Sequence, residues 1–309
     1  MKKLFLALIV AVTFFNIGLT QNDTMYIMKT GKVIGKYKVA NVDSVIFYKP
    51  VIISNINIQT VNIPAGTFIM GSPKTEELRE INETQFQVSL SAFKMSKYEI
   101  TNAQYAAFLN NKEIPYPSEQ FIFSSNPSDG DDWGLHYTGG VWVPVAGYEN
   151  HPVIKVTWLG AKEFATYVGG RLPTEAEWEY ACRAGTNTPF NTGYCLGNTQ
   201  ANYFWGQPYD TCTNTIKTYP ATTQTVGSYP PNAYGLYDMH GNVLEWCNDL
   251  FGSYPATAQT NPTGALSGLD RVARGGEWSN LARFCRSASR RNPNPAFTSN
   301  RLGFRLILP

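Results

Sequence analysis

At 309 residues the chain is long enough to bury a sizeable core, in one large domain or two small ones. It is 43% hydrophobic and 14% aromatic but only 16% charged, with a formal net charge of +2, so its surface must be built largely from Asn, Thr, Ser, Gly and Tyr. That composition excludes a disordered chain and points away from a nucleic-acid-binding polycation.

The first residues carry a Lys2-Lys3 head, an apolar run from Leu4 to Phe15, then Gly18, Thr20 and Gln21. This pattern predicts a signal peptide over residues 1–20 with cleavage near 18–21, because the run is too short to span a bilayer and no stop-transfer pattern follows. No later segment has the roughly 18 consecutive apolar residues of a transmembrane helix. The expected mature chain is exported, whether periplasmic, cell-surface or secreted, and in that setting disulfides and calcium are chemically reasonable.

Residues 23–60 alternate apolar and polar side chains, from Met25-Tyr26-Ile27 to Ile56 and Ile58, with turn signals at Thr30-Gly31 and Asn41-Val42-Asp43, which sets 21–59 apart as a segment. They predict a short β-rich segment preceding a domain over 60–309. Ile63 to Ser72 reads as a strand between glycine turns, Lys74 to Glu83 as a polar loop, and Gln85 to Met95 as strand again. Thr101 with Gln104 has capping-box spacing ahead of Tyr105, Phe108 and Leu109, which predicts a helix. Residues 111–150 read as a long irregular insertion, in which Asp129, Asp131 and Asp132 form an acidic cluster beside Trp133 and His136. A second helix is expected from Thr157 to a stop at Gly169-Gly170. The third is the clearest: Thr174 caps it, Glu177 completes a capping box, and Glu175 lies where the helix dipole favours an anion. Trp178 and Cys182 share a face at i,i+4, so Cys182 is expected to point inward.

Of the five cysteines, Cys195 and Cys212 flank a loop rich in Gly, Asn and Thr, and a local bridge is expected there. Cys182, Cys247 and Cys285 compete for one further bond. With no C-x-x-C and only three histidines, a structural zinc site is not expected. No G-x-G-x-x-G, Walker or G-x-S-x-G sequence occurs, which removes the common nucleotide-binding and serine-hydrolase readings.

Ser228 to Asp249 combines two prolines, turn-forming Asn and Gly residues and four aromatics with three carboxylates. The turn at His240-Gly241-Asn242 delivers Glu245 between Leu244 and Trp246. Such backbone beside a carboxylate and an amide suits a small cation site, because asparagine, glutamate and carbonyl oxygens are ligands that calcium prefers. The alternative is a tightly packed turn with Glu245 paired to an arginine.

Six motifs occur in order: Asn62-Ile-Pro-Ala-Gly-Thr-Phe-Ile-Met-Gly71, His151-Pro-Val-Ile-Lys-Val-Thr-Trp158, Gly170-Arg-Leu-Pro-Thr-Glu-Ala-Glu-Trp-Glu-Tyr180, Tyr234-Gly-Leu-Tyr-Asp-Met-His-Gly-Asn-Val-Leu-Glu-Trp246, Arg274-Gly-Gly276 and Gly303-Phe-Arg305. Together they resemble the sulfatase-modifying, formylglycine-generating enzyme family over about residues 60–309. The resemblance implies an irregular α+β fold of the C-type lectin-like class. It implies structural calcium held by Gly241, Asn242, Val243 and Glu245, and a second site beginning at Asn202 and Tyr203, with Asp210 or Asn214 in place of the family's later aspartate. It also implies a bridge from Cys182 to Cys285, with Cys247 to Cys285 as the alternative.

Active relatives oxidise a sulfatase cysteine with copper and oxygen, and that chemistry needs two neighbouring thiols, since paired soft sulfurs hold Cu(I). Here only Cys285 follows the Arg-Gly-Gly motif. Counted without gaps, Asn280 takes the first thiol position and Cys285 the second; the spacing to Ser287-Ala288-Ser289-Arg290 instead makes Cys285 a structural cysteine. Either placement breaks the copper pair, so copper is not expected. Sulfoxide-synthase chemistry is not expected either, because His136, His151 and His240 lack an iron-binding spacing. The expectation is an exported, non-oxidase binding or structural protein, with an atypical oxygen-dependent oxidase acting on protein cysteine, or a related metal-dependent enzyme, as the alternative. By the same resemblance Trp278, Asn280, Arg283, Phe284, Arg286, Arg290 and Arg291 line a cleft suited to a peptide, protein or glycan. The eight arginines from Arg271 to Arg305 are separated by apolar residues, and pairing with Glu175, Glu177 and Glu245 is expected rather than nucleic-acid binding.

Overall fold

The computed structural model describes residues 24–29, 32–38 and 56–309, apart from 117, 119, 123–132 and 214–217. The expected signal peptide, the expected strands between 39 and 55, the acidic cluster Asp129, Asp131 and Asp132, and Asn214 lie outside the described residues. The chain divides into two compact units, Met1–Val51 and Ile52–Pro309. In the first, β1 (Thr24–Lys29) and β2 (Lys32–Lys38) form an antiparallel hairpin whose register shifts between Ile27 and Met28.

Among its described residues the second unit is held by small sheets and three α-helices. β3 (Thr60–Ile63) pairs with β6 (Phe93–Ser96), which also pairs with the last strand, β14 (Ile307–Leu308). β4 (Gly66–Met70) pairs with β5 (Phe86–Leu90), whose other edge takes β10 (Gln259–Thr260). The largest sheet, in the order β12 (Arg290–Arg291), β11 (Arg271–Arg274), β9 (Leu244–Leu250), β13 (Leu302–Gly303), carries most of the site. Its parallel β9–β13 pairing sets Gly303 opposite Glu245, which brings Arg305 alongside that carboxylate.

All three expected helices form with the expected caps. Thr101 caps α1 (Asn102–Asn111) in a capping box with Gln104, Thr157 caps α2 (Trp158–Tyr167), and Thr174 caps α3 (Glu175–Arg183) in a box with Glu177. Each cap supplies an acceptor to an N–H that the first turn leaves unpaired, a gain of about 1 kcal/mol. α1 and α2 bury Tyr105, Phe108 and Phe164 against Phe304, and the ring centroids lie 5.3–5.9 Å apart. Full burial of one such side chain is worth about 1.5–3 kcal/mol. α3 packs on β4, β9 and β11, with Trp178 and Cys182 both fully buried as their shared face requires.

Residues 111–150 hold more structure than the sequence pattern indicates. β7 (Leu135–Thr138) and β8 (Val141–Pro144) form a hairpin closed by Gly139 and Gly140, both at positive φ. That is the backbone a two-residue hairpin turn needs. Trp142 on β8 is buried, and its indole N–H donates to the Ile114 carbonyl at 2.8 Å. No helix among the described residues is long and apolar enough to cross a membrane.

Candidate functional site

The scaffold under the site is a set of buried arginine–carboxylate pairs centred on α3. Arg274 of β11 pairs with Glu179 and lies 3.5 Å from Glu175, and Arg183 takes the other Glu179 oxygen at 2.9 Å. Arg290 forks onto Glu175 at 2.6 and 2.8 Å and stacks on Tyr254 with its guanidinium carbon 3.9 Å from the ring centroid. Arg305 forks onto Glu245 at 2.6 and 2.7 Å, and at the edge of the set the half-exposed Arg171 forks onto Glu177. Glu175 and Glu245 thus have the C-terminal arginine partners expected of them, whereas Glu177 is paired with Arg171, outside the expected set. Arg286 reaches Glu76 at 2.6 Å and Glu83 at 2.7 and 2.8 Å.

Arg286 and Arg290 therefore do not line a cleft. Both are almost fully buried. The physical reason lies in the 72–83 loop: its Glu76 and Glu83 fold inward over the segment after Cys285 and neutralise Arg286, while the first turn of α3 does the same for Arg290. A buried guanidinium is tolerable only with such partners.

Five of the expected cleft residues remain, arranged along one turn-rich segment. Trp278 donates its indole N–H to the Asn300 carbonyl, meets Trp133 edge to face at 6.1 Å, and lies under Arg301. Asn280 donates its side-chain amide to Glu277 and accepts from the Phe204 N–H at 2.8 Å. Ser279 also donates to Glu277 from its backbone and hydroxyl, so that carboxylate is committed to its own turn, and burial pushes its pKa up. Phe284 has Arg283 at 4.4 Å and Arg291 at 4.3 Å from its centroid, and Arg291 is held by Glu80 at 3.0 Å. Three buried polar atoms here have no partner: Trp133 Nε1, Asn102 Oδ1 and Asn280 Oδ1. Trp133 and Asn102 belong together because the Asn102 amide donates to the Trp133 carbonyl at 3.1 Å. Sequence reasoning left Asn102 and Arg301 out of the cleft.

Cys285 sits behind this face. It is fully buried, its Sγ is 3.9 Å from the Leu281 carbonyl, and a Cβ placed at Gly276 would be 2.6 Å from that sulfur. Burial pushes its thiol well above the ordinary range. His240 bridges it to α3. Nδ1 lies 2.7 Å from the Cys285 carbonyl and Nε2 accepts from the Asn191 N–H, which fixes a neutral tautomer. Burial lowers the His240 pKa to about 4 and raises the Cys182 thiol to about 12.

Cys182, Cys247 and Cys285 are all free, so neither expected bridge to Cys285 forms. The sulfurs face different carbonyls: Cys182 that of Met239, Cys247 that of Glu245, and Cys285 that of Leu281. The expected bridge between Cys195 and Cys212 is present, with a Cα separation of 5.8 Å.

The two stretches expected to hold cations lie side by side. Asn202 bridges to Gly241, the Asn242 N–H donates to the Asn202 carbonyl at 2.8 Å, and the Asn202 amide donates to Asn242 Oδ1 at 3.2 Å. Gly241 cannot carry a side chain here, because a Cβ would collide with the Asn202 carbonyl. Asn242 has a positive φ of 60° and donates its amide to Glu99 at 3.1 Å. Val243 is buried, and the Tyr203 hydroxyl donates to the Leu196 carbonyl. Glu245 is engaged differently from the calcium reading: Arg305 takes both its oxygens and the Trp178 indole N–H donates to one at 2.7 Å. Asp210 is likewise taken, by the Tyr194 hydroxyl at 2.6 Å.

Three buried oxygens near Asn242 have no partner: Asn202 Oδ1, Thr222 Oγ1 and Glu99 Oε1. Burial and the nearby Asp238 and Glu245 hold Glu99 well above the usual carboxylate range. Among the described residues no cluster of three or more His, Cys, Asp or Glu is arranged to hold a metal. A cavity of about 630 Å³ lies apart from these residues, lined by β3, β6, β14 and Gly169 to Arg171.

Residues 54–308 match the model of the sulfatase-modifying factor enzyme 1-like domain. The chain is 34% identical over 275 residues to formylglycine-generating enzyme of Mus musculus, covering 79% of this chain and 73% of that protein. It is 33% identical over 277 residues to the enzyme of the same name from Streptomyces coelicolor, covering 79% and 87%. Among solved structures, PvdO from Pseudomonas aeruginosa superposes with a TM-score of 0.63 at 26% identity, covering 82% of this chain and 94% of that one. Treponema denticola variable protein 1 shares the fold, with a TM-score of 0.59 at 24% identity over 81% and 95%. The α+β, C-type lectin-like chain described above belongs to the sulfatase-modifying factor enzyme 1-like family.

Proposed function

We propose that this protein is an exported member of the family that binds a protein, peptide or glycan at the Trp278–Phe284 face and does not oxidise cysteine. The observation that carries the reading is the state of the thiol position. Cys285 is buried beneath Gly276, no second cysteine follows the Arg274-Gly-Gly motif, and the side chain at position 280 is an amide tied to Glu277. A lone protonated thiol sealed from solvent offers Cu(I) neither the sulfur pair nor the access that thiolate chemistry requires. Export rests on the N-terminal sequence pattern.

Anaerobic Cu(I) titration with thiol labelling tests the reading. The expected result is no stoichiometric copper at Cys285 and no formylglycine on a cysteine-containing peptide. Copper held by Cys285 together with formylglycine product would overturn it in favour of an enzyme.

Calcium belongs to the same proposal. Oxygen donors alone suit that ion, and the unpartnered oxygens of Asn202, Thr222 and Glu99 supply them beside the Gly241–Asn242 turn. Glu245 fits less well, because its charge is already met by Arg305. Calcium bound there would tie the 202, 222 and 242 segments together. Asn202→Ala should abolish any calcium-dependent rise in melting temperature.

A further inference from the structure

Three cations on the binding face differ from the four buried arginines of the C-terminal segment. Arg274, Arg286, Arg290 and Arg305 are buried and paired with carboxylates. Arg283 is exposed and has no carboxylate partner among the described residues; its guanidinium lies against Phe284 instead. Arg291 flanks the same ring and spends one Nη on Glu80. Arg301 is half exposed over Trp278, with its nearest carboxylate oxygen, on Glu277, at 3.9 Å. Arg283 and Arg291 share the Phe284 ring, and Arg301 stands 3.9 Å from Glu277 on the adjoining turn, so the three guanidiniums frame one patch. Its two acidic residues are already engaged: Glu80 by Arg291, and Glu277 by Ser279 and Asn280.

We infer that this patch is a carboxylate receptor for an acidic peptide segment, with Arg283 as the main anion-binding group and Phe284 as the platform that holds it. The inference rests on the binding reading above and narrows its ligand class. The rings pre-orient the guanidiniums, which lowers the rotamer entropy lost on binding, and a planar guanidinium meets a carboxylate through two parallel N–H donors. Arginine on an aromatic face keeps its outer N–H groups free for this. Phe284 also offers partly exposed apolar surface for a neighbouring side chain of the ligand. A peptide fits better than an extended polyanion. Only three cations are available, none is a lysine, Glu80 sits among them, and the whole chain carries only +2, so a sulfated polysaccharide or nucleic acid would find no continuous basic track.

The test uses fluorescence anisotropy with the full mature chain and a labelled hexapeptide alternating phenylalanine and glutamate. Its glutamine counterpart and a heparin fragment serve as the other arms. The glutamate peptide should bind about tenfold more tightly than the glutamine one, and the difference should shrink as salt is raised. Arg283→Ala should remove most of that difference and Phe284→Leu a part of it, while Lys112→Ala, which removes a charge just past the end of α1, should leave it intact. Arg283→Lys should fall between, because it keeps the charge and loses the fork. Equal binding of the two peptides, an Arg283→Ala variant that behaves like Lys112→Ala, or preference for heparin over the glutamate peptide would each overturn the carboxylate assignment. The two readings fail separately: strong binding of the glutamine peptide keeps a binding face without a carboxylate receptor, whereas copper loading with formylglycine formation removes the binding reading itself.

Discussion

Replacing Arg305 by methionine tests the central claim about Glu245. Arg305 is fully buried, forks onto Glu245 at 2.6 and 2.7 Å, and also donates to the carbonyls of Tyr237 at 2.9 Å and Ser96 at 3.3 Å. Methionine fills much of the same volume but leaves Glu245 with only the Trp178 indole donor. It also removes the positive charge that opposes burial at Glu99 and Asp238. Breaking a buried pair by removing one partner costs about 3–5 kcal/mol. In a domain of this size each kcal/mol shifts the melting temperature by about 2–4 °C, so Arg305→Met should melt about 6–20 °C lower. Urea denaturation followed by tryptophan fluorescence measures the free energy directly. The Arg305→Met/Glu245→Met double variant should recover at least half the loss, since Glu245 is no longer left buried without its guanidinium. A single-variant loss below about 1 kcal/mol, or a double variant as unstable as the two single losses added, would refute the pairing argument. Calcium gives a further arm: an ion on the Asn202 side should shift wild type and variant alike, whereas selective rescue of Arg305→Met would return Glu245 to the ion.

Two further outcomes follow from the site. Removing the Cys195–Cys212 bridge, which closes a 17-residue separation, should cost about 3 kcal/mol, read as a lower urea midpoint for the double serine variant. His240 has its pKa lowered to about 4, against an unfolded value of about 6.5, so the unfolded chain takes up the extra proton first. Its contribution to stability is fully present above pH 6.5 and is lost as pH falls from about 6.5 to 4. His240→Gln should flatten that part of the stability profile relative to wild type, by about 3 kcal/mol at most; an unchanged slope would refute the buried neutral tautomer.

The features that were legible in the sequence are those fixed by residues close together in the chain. Thr101 with Gln104, and Thr174 with Glu177, announce helix starts because both halves of a capping box lie within one turn. The Cys195–Cys212 bridge was legible for the same reason. The β7–β8 hairpin was missed although its signal was present: Gly139-Gly140 lies between alternating residues, but it is embedded in a polar stretch that reads as insertion. Glu76 and Glu83 could not be read as buried at all. They belong to a run of charged residues with no periodicity, and their partner Arg286 lies 210 and 203 positions away. The cleft was misjudged by the same blindness, since nothing local separates Arg286 and Arg290 from Arg283 and Arg291.

That separation explains how an irregular chain holds a defined face. A buried ion pair contributes little net stability compared with a well-packed apolar pair, but a wrong pairing leaves a buried charge alone at a cost of several kcal/mol. In a fold of short strands and long loops, apolar packing tolerates many registers. Arg286 with Glu76 and Glu83, Arg290 with Glu175, and Arg305 with Glu245 tolerate very few, because each joins segments at least 60 residues apart. These pairs fix where the 277–291 segment runs, while the acidic residues beside Phe284 are engaged otherwise, Glu80 by Arg291 and Glu277 by Ser279 and Asn280, which leaves Arg283 without a carboxylate. Neutralising Glu83 as Glu83→Gln should weaken acidic-peptide binding without any contact to the ligand, by loosening the loop that carries Glu80, the partner of Arg291.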